Sequence, residues 1–210
     1  MHVCLFRSGW VDVLRLTPGD IDLADIAHGL ALTNRWNGAT AEAVSVAWHS
    51  LVVSALASEI DPAAALHGLM HDAAEAYTGD WIRPYKLHLG PMLTEVAERI
   101  EHACLEAAGV ATPAATSRTV KEADEAVLLL EHASRWGMGQ QMRSEDQEQV
   151  ARARAAAERV NPYDNGAPFK LANKSETAFV DEALWLMPAA APIRRRLERP
   201  GRERPDRRQE

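Results

Sequence analysis

The chain has 210 residues, of which 47% are apolar and 25% charged, a balance that is typical of one globular domain and excludes disorder of the whole chain. Its longest apolar run, Ala126 to Leu130, has about five residues against the roughly 20 that a membrane-spanning helix needs, so none is expected. The formal charge of −7 is unevenly distributed: residues 192–210 contain eight arginines and four acidic residues, and the rest of the chain has a net charge of −11. This acidic body disfavours stable nucleic-acid binding.

The residue composition favours a helical fold in a reducing compartment. Alanine, which has the best helix propensity, occurs 37 times, whereas aromatic residues make up only 6% of the chain. Cys4 and Cys104 lie 100 residues apart without a CxxC spacing, so we expect two reduced thiols. The N-terminus lacks the basic start and long apolar stretch of a signal peptide, and we therefore expect a cytoplasmic protein.

The first elements along the chain are a hairpin and a helix. Residues 3–7 and 11–16 alternate loosely around Ser8-Gly9, which predicts two paired strands. Asp20 follows a Pro-Gly turn and is expected to cap a helix that ends near Leu32.

The next two predicted helices carry histidines. Thr40 is expected to begin a long helix, with apolar residues at helical spacing, on which His49 lies. Asp61-Pro62 is typical of an N-cap with proline at the first helical position, and the 3.6-residue period then continues to an end at Gly79. This second helix has the clearest pattern in the chain, and it contains His71-Asp72.

The second half of the chain predicts further helices and a tail. Helices are expected at 91–108, closed by Gly109, at 117–136 and, more polar and on the outside, at 144–160. A loop at 161–174 and a last helix from Ser175 to Met187 follow. Residues 188–210 are rich in Pro, Arg and Glu, which predicts a disordered tail.

Three of these helices offer side chains that suit a metal ion. A buried histidine and aspartate need a compensating partner, and imidazole nitrogen and carboxylate oxygen are ordinary ligands of divalent ions. His49 lies 22 residues before His71, and Asp124 lies 52 residues after Asp72, beside an apolar stripe. Four protein ligands leave positions open, as in a catalytic site. Taken alone, His49 or Asp124 would more often be a hydrogen-bonded core residue or an exposed one.

A resemblance to a known family adds to this pattern. It is carried by residues 34–36 with 48–50, by residues 71–80 with Pro84 and Lys86, and by residues 120–124. The chain resembles the HD superfamily of metal-dependent phosphohydrolases, and within it the bacterial 5'-deoxynucleotidases and the phage dATP triphosphohydrolases. The resemblance implies an all-α HD-domain bundle with a short N-terminal β-hairpin.

The domain boundaries expected on this basis place one HD domain at 1–187. The hairpin would occupy residues 1–16, the catalytic core residues 20–135 and the outer helices residues 144–187. The tail at 188–210 would lie outside the domain.

The resemblance also implies roles for individual residues. One divalent transition metal ion, of the Co, Mn, Zn or Fe type, would be held by four ligands: His49, His71, Asp72 and Asp124. Glu75, four residues after His71, would orient or deprotonate the attacking water. Asp80 would protonate the leaving group or hold a hydroxyl.

The remaining assignments concern the substrate. Phosphate carries more charge than one divalent ion neutralises, so Arg35 and Lys86 are the expected phosphate-binding cations. Trp36 would pack against the deoxyribose and disfavour a 2'-hydroxyl; ordinary core packing is the alternative for this residue.

The expected function is hydrolysis of a 2'-deoxyribonucleoside monophosphate to the deoxynucleoside. One alternative keeps the chemistry but releases triphosphate from a dNTP, and another is a non-catalytic metal-binding regulatory module that uses the basic tail. A guanosine tetraphosphate hydrolase is disfavoured, because the Glu-Asp pair of such enzymes does not follow His71-Asp72. The expected partners are a small deoxynucleotide substrate and further copies of the chain, with no membrane association.

Overall fold

The described part of the protein is an all-α bundle with an N-terminal hairpin, as the sequence predicts. In this computed structural model the described residues are 1–40, 43–88, 91–110, 113–133, 143, 146–160, 172–188, 191 and 193. The strands are β1 (His2–Leu5) and β2 (Gly9–Asp12). The helices are α1 (Leu23–Leu32), α2 (Val46–Ile60), α3 (Ala65–Met70), α4 (Glu75–Thr78), α5 (Arg83–His88), α6 (Pro91–Ala108), α7 (Pro113–Ala133), α8 (Asp146–Val160) and α9 (Ala172–Leu186).

The hairpin is antiparallel and is bound to α1. Val3 pairs with Val11, and β2 ends at Asp12, four residues earlier than predicted. The buried Asp25 carboxylate of α1 accepts hydrogen bonds from the backbone N–H groups of Arg7 and Ser8 in the turn. The hairpin is therefore positioned by a charged group of the bundle.

The predicted cap of α1 is wrong by two residues. Asp22 caps the helix, because its side chain accepts a hydrogen bond of 2.8 Å from the N–H of Ala24. Asp20 instead closes the preceding turn by accepting hydrogen bonds from the backbone N–H and hydroxyl of Thr17.

The predicted start of α2 at Thr40 is also wrong. Ser45 caps α2 by accepting a hydrogen bond from the N–H of Trp48. Backbone hydrogen bonds join residues 33–35 to residues 44–46, and Arg35–Gly38 forms a short 3₁₀ segment that is separate from α2.

The long helix predicted from Asp61 to Gly79 is interrupted where His71 and Asp72 lie. A one-turn 3₁₀ segment at Pro62–Ala64 leads into α3, and hydrogen-bonded turns at 71–74 separate α3 from α4. His71 Nδ1–H donates a hydrogen bond of 2.8 Å to the Gly68 carbonyl, the acceptor that residue 72 would use in a continuous α-helix. The side chain thus competes with the helical hydrogen bond.

Helix α2 lies between two apolar clusters. The first joins α2 to α1, α3, α6 and α9, and the second joins it to α7 and α8. Gly68 allows close contact between α2 and α3, because a Cβ there would lie only 3.2 Å from Ser54 Cα. Gly29 of α1 approaches α4 even more closely, since its Cβ would lie 2.9 Å from the Cβ of Ala76. These contacts bring the ends of α3 and α4 against α2 and α1.

The later helices differ from the prediction mainly at their ends. Helix α6 and its end at Gly109 are confirmed. Helix α7 begins at Pro113 instead of Ser117, and residues 134–136 lie outside the described residues. Helix α8 is confirmed from Asp146, and it is more than a solvated outer helix because it buries Val150 and two alanines in the second cluster.

The C-terminal predictions can be checked only in part. Helix α9 begins at Ala172, so the prediction of a cap at Ser175 is wrong and the predicted loop is at least three residues too long. Residues 161–171 and nearly all of the predicted tail fall outside the described part of the chain. Cys4 and Cys104 are free thiols. No helix among the described residues combines the length and apolar character needed to span a membrane.

Candidate metal centre

Helices α2 and α7 and the turn after α3 bring all four predicted metal ligands together. His49 of α2 is fully buried, and its Nε2 lies 3.0 Å from Asp124 Oδ1 of α7 and 3.7 Å from Asp72 Oδ2. His71 Nε2 lies 3.2 Å from Asp72 Oδ2 and 3.9 Å from Asp124 Oδ1. Side chains separated by up to 75 residues in the sequence thus meet in one cluster.

Both histidines are oriented through their other ring nitrogen. His49 Nδ1–H donates a hydrogen bond of 2.9 Å to Glu131 Oε1, and His71 Nδ1–H donates to the Gly68 carbonyl. In the neutral rings this leaves the Nε2 lone pairs directed toward Asp72 and Asp124. A carboxylate or carbonyl on the far nitrogen is the arrangement typical of metal-ligating histidines.

The residues present fit a divalent metal ion. Ligand atoms of His49, His71 and Asp72 all lie within 4.8 Å of one another, and neither buried Nε2 forms a well-aligned hydrogen bond with the described residues. Asp124 adds a carboxylate oxygen next to both histidines. Two imidazoles with carboxylates suit transition metals such as zinc, iron, cobalt or manganese, and the donor set by itself does not choose among them.

The electrostatics of the cluster favour a cation. Burial lowers the pKa of His71, but Asp72 and Asp124 outweigh burial and raise it to about 9. Burial raises the pKa of Asp72, yet His71, His49 and Arg35 hold it well below its usual range. The metal-free cluster therefore retains protons on imidazole beside ionised carboxylates, and a bound cation would replace that positive charge.

Sequence analysis missed Glu131, which organises one side of the centre. This fully buried carboxylate of α7 accepts hydrogen bonds from His49 Nδ1, from Arg35 Nε at 3.0 Å (Oε2) and from Trp36 Nε1 at 3.0 Å. Its Oε1 also forms an ion pair with Arg35, 2.9 Å from Nε. Burial raises the pKa of Glu131, but His49 and Arg35 outweigh it and lower the pKa below its usual value. Glu131 follows Asp124 by seven residues, or two helical turns, and this spacing could have indicated that both side chains lie on the same face of the helix.

Arg35 and Trp36 both turn toward Glu131. Arg35 also places Nη1 3.6 Å from Asp72 Oδ2. Its guanidinium therefore bridges Glu131 and Asp72, one of the four predicted metal ligands. The Trp36 ring packs edge-on against His132 with centroids 4.5 Å apart. Trp36 adopts a left-handed backbone conformation (φ 60°), which costs about 1–3 kcal/mol in a non-glycine residue and is typical of functional loops. Its predicted contact with a sugar stays a prediction.

Glu75, Asp80 and Lys86 lie on the other side of the centre. Lys86 Nζ donates a hydrogen bond of 3.0 Å to Glu75 Oε1, whereas the buried Glu75 Oε2 has no hydrogen-bond partner among the described residues. Burial, with Asp72 and Asp80 nearby, raises the pKa of Glu75 to about 8 despite Lys86. Burial also raises the pKa of Asp80, although Arg35 and Lys86 oppose the shift.

Two cavities open beside the metal centre. A cleft of about 120 Å³ contains two of the ligands, His71 and Asp72, together with Glu75, Lys86 and Glu101. Glu101 of α6 is a second residue that sequence analysis missed, and burial raises its pKa. A larger cavity of about 480 Å³ lies next to the cleft, and both are lined by Thr78, Gly79 and Trp81.

Comparison with known proteins identifies relatives but no family. No known protein-family model matches the chain. The chain is 40% identical over 129 residues to an uncharacterized protein of Rhodobacter capsulatus, an alignment that covers 58% of this chain and 66% of the relative. It is 34% identical over 117 residues to the uncharacterized protein YfdR of Escherichia coli, covering 56% of this chain and 62% of the relative. The chain thus spans slightly less than two thirds of the length of these relatives.

Proposed function

We propose that the protein is a metal-dependent phosphohydrolase of the HD superfamily that removes phosphate from 2'-deoxyribonucleoside 5'-monophosphates. The observation that carries the proposal is the convergence of His49, His71, Asp72 and Asp124. Beside them lies a buried Glu75 oxygen that has no hydrogen-bond partner in the described part of the chain. The sequence resemblance to the HD superfamily supplies the substrate class.

The four ligands would hold one divalent ion, which when bound supplies a Lewis acid for water and for a phosphoryl oxygen. Glu75 Oε2 then accepts the proton of the attacking water. Its pKa is about 8 in the metal-free protein, and a cation bound beside it would lower that value and so ionise the carboxylate for its role as a base. Lys86 on Oε1 holds the carboxylate in place, so that the other oxygen faces the reacting water.

Asp80 and the nearby cations complete the reaction. Asp80 would donate a proton to the 5'-oxygen as the P–O bond breaks, and burial, which raises the pKa of Asp80, acts in the direction that this role needs. Lys86 lines the cleft that contains His71 and Asp72, and Arg35 places Nη1 3.6 Å from Asp72 Oδ2, so both would supply positive charge for the transferred phosphate. Water attack yields orthophosphate and a deoxynucleoside, so atoms and charge balance without a further reactant.

A substrate panel tests the proposal. Deoxynucleoside mono- and triphosphates are incubated with the protein and with Mn, Co, Fe or Zn, and the products are separated by anion exchange. Orthophosphate from the monophosphates supports the proposal. Triphosphate from the dNTPs would replace it with a dNTP triphosphohydrolase, and no hydrolysis with any metal would indicate a metal-binding module.

A further inference from the structure

The 480 Å³ cavity has the character of a site for an uncharged planar group. It lies between the loop that follows α1 and the segment from the end of α4 to α5. The residues lining it include Asn34, Asn37, Asp80, Trp81 and Tyr85. We call it the aromatic cavity. Its volume falls within the roughly 300–1,000 Å³ typical of small-molecule sites. Among the described lining residues Asp80 alone carries a formal charge, so the cavity offers no cation to a phosphate.

Trp81 presents a fixed aromatic surface to this cavity. Its indole N–H donates a hydrogen bond of 2.8 Å to the Thr78 carbonyl, yet the residue remains 37% exposed. Tyr85, on α5, is 51% exposed beside it. A hydrogen bond that orients a ring without burying it prepares that ring for stacking, because less orientational freedom is lost when a ligand binds.

The lining of the aromatic cavity is open at two glycines. A Cβ added at Gly38 or at Gly79, which both line the aromatic cavity, would meet no atom within 4 Å. The amides of Asn34 and Asn37 line the same space and offer both donors and acceptors to the edge of a heterocycle. A flat, hydrogen-bonding ring therefore matches the lining better than an aliphatic or charged group does.

The aromatic cavity also adjoins the proposed reaction centre. Trp81 lines both this cavity and the cleft that contains His71 and Asp72. Asp80 lines the aromatic cavity while interacting electrostatically with Arg35 and Asp72. A ligand bridging the two would place its anionic end in the cleft, which Lys86 lines, and its uncharged end against Trp81.

We infer that the aromatic cavity binds the nucleobase of the substrate, stacked on Trp81, with Asn34 and Asn37 at the base edge. This inference rests on the proposed function for the identity of the substrate, but not for the presence of a stacking site. Trp81 is then a residue that determines affinity for the base.

Binding of an uncharged nucleoside tests the site separately from catalysis. Titration calorimetry with 2'-deoxyadenosine compares the wild type with Trp81→Leu, which removes the aromatic face, and Trp81→Phe, which restores one. Trp185→Ala is the matched control, because Trp185 of α9 is 79% exposed and lies outside the residues lining either cavity. Thermal denaturation establishes that each variant is folded. If Trp81→Leu does not fold, Trp81→Ala is used in its place.

We expect Trp81→Leu to weaken binding about 5- to 150-fold, corresponding to the roughly 1–3 kcal/mol of one stacked base. Trp81→Phe should recover most of the affinity, and Trp185→Ala should bind like the wild type. In a parallel assay, Trp81→Leu should lower kcat/KM for dAMP relative to the base-free substrate 2-deoxyribose 5-phosphate.

The possible failures are distinguishable. Equal affinity of wild type and Trp81→Leu, or no nucleoside binding by the wild type, overturns the nucleobase site even if dAMP is hydrolysed. Nucleoside binding that depends on Trp81 in a protein that hydrolyses no deoxynucleotide supports the site and overturns the proposed reaction.

Discussion

Replacing Glu131 with glutamine tests whether this buried carboxylate maintains the metal centre. The substitution preserves shape but removes the charge. Three groups that bond to Glu131 are donors, namely His49 Nδ1, Arg35 Nε and Trp36 Nε1. A glutamine has one accepting oxygen, and its NH₂ group would face donors. At least one N–H group would then be buried without an acceptor.

The size of the effect follows from the buried ion pair. Removing one partner of such a pair costs about 3–5 kcal/mol, because the other charge, here Arg35, stays buried. For a chain of this length that loss lowers Tm by roughly 6–20 °C. Loss of the carboxylate that orients a histidine ligand lowers metal affinity about 10- to 100-fold. We therefore expect Glu131→Gln to lose both stability and metal affinity.

The assay measures both quantities on the same protein. Metal affinity is obtained by competition with a chromophoric chelator, and Tm by thermal denaturation with and without metal. Glu125→Gln is the control, because Glu125 is an exposed glutamate on the same helix and its replacement should change stability by less than about 0.5 kcal/mol. A Glu131→Gln protein with lowered Tm but wild-type metal affinity would refute the reasoning and make Glu131 a stabilising residue only.

Four further predictions concern the centre itself. His71→Ala or Asp72→Ala should abolish metal binding and hydrolysis together, and full activity of either variant with excess metal would contradict the ligand assignment. Glu75→Ala should retain the metal while kcat falls about 10²- to 10⁴-fold, and loss of metal content would make Glu75 a ligand instead. Trp36→Ala should reduce the preference for deoxyribo- over ribonucleotides, by roughly ten- to 200-fold at most; an unchanged ratio of kcat/KM with a lower Tm would assign Trp36 to packing around Glu131. In metal-free protein the pKa of His71 is about 9, against 6.5 for an unperturbed histidine, so the folded state binds the extra proton and the free energy of unfolding should fall as pH rises from 6.5 to 9. A pH series of Tm in chelator checks this slope, which a flat profile would contradict.

The helical fold and the helices that carry the predicted ligands could be predicted because apolar residues recur at helical spacing in the sequence. The interruption at 71–74 was not, and the reason is physical. His71 (φ −62°, ψ −32°) and Ala74 (φ −61°, ψ −26°) keep helical backbone angles, so their side chains follow nearly the helical period. The helix is interrupted only in its backbone hydrogen bonds, and the types of residue at 71–74 do not indicate such an interruption.

Other features depend on contacts distant in sequence. Glu131 is one of several glutamates on α7, and its role arises from Arg35 and His49, which lie 96 and 82 residues away. The choice between Asp20 and Asp22 as helix cap was likewise open locally, because either side chain can cap. Contacts in the folded protein decide that Asp22 caps α1 and that Asp20 closes the preceding turn.

The contact between Gly29 and Ala76 means that the position of α4 depends on a residue outside the candidate site. Ala76 follows Glu75 in α4, a helix of only four residues, and the hydrogen atom of Gly29 is all that separates the two helices at this point. A methyl group at position 29 would collide with Ala76, so α4, and with it Glu75, would have to move. Under the proposed function, a residue that contacts neither the metal nor the substrate would thus influence the rate of hydrolysis.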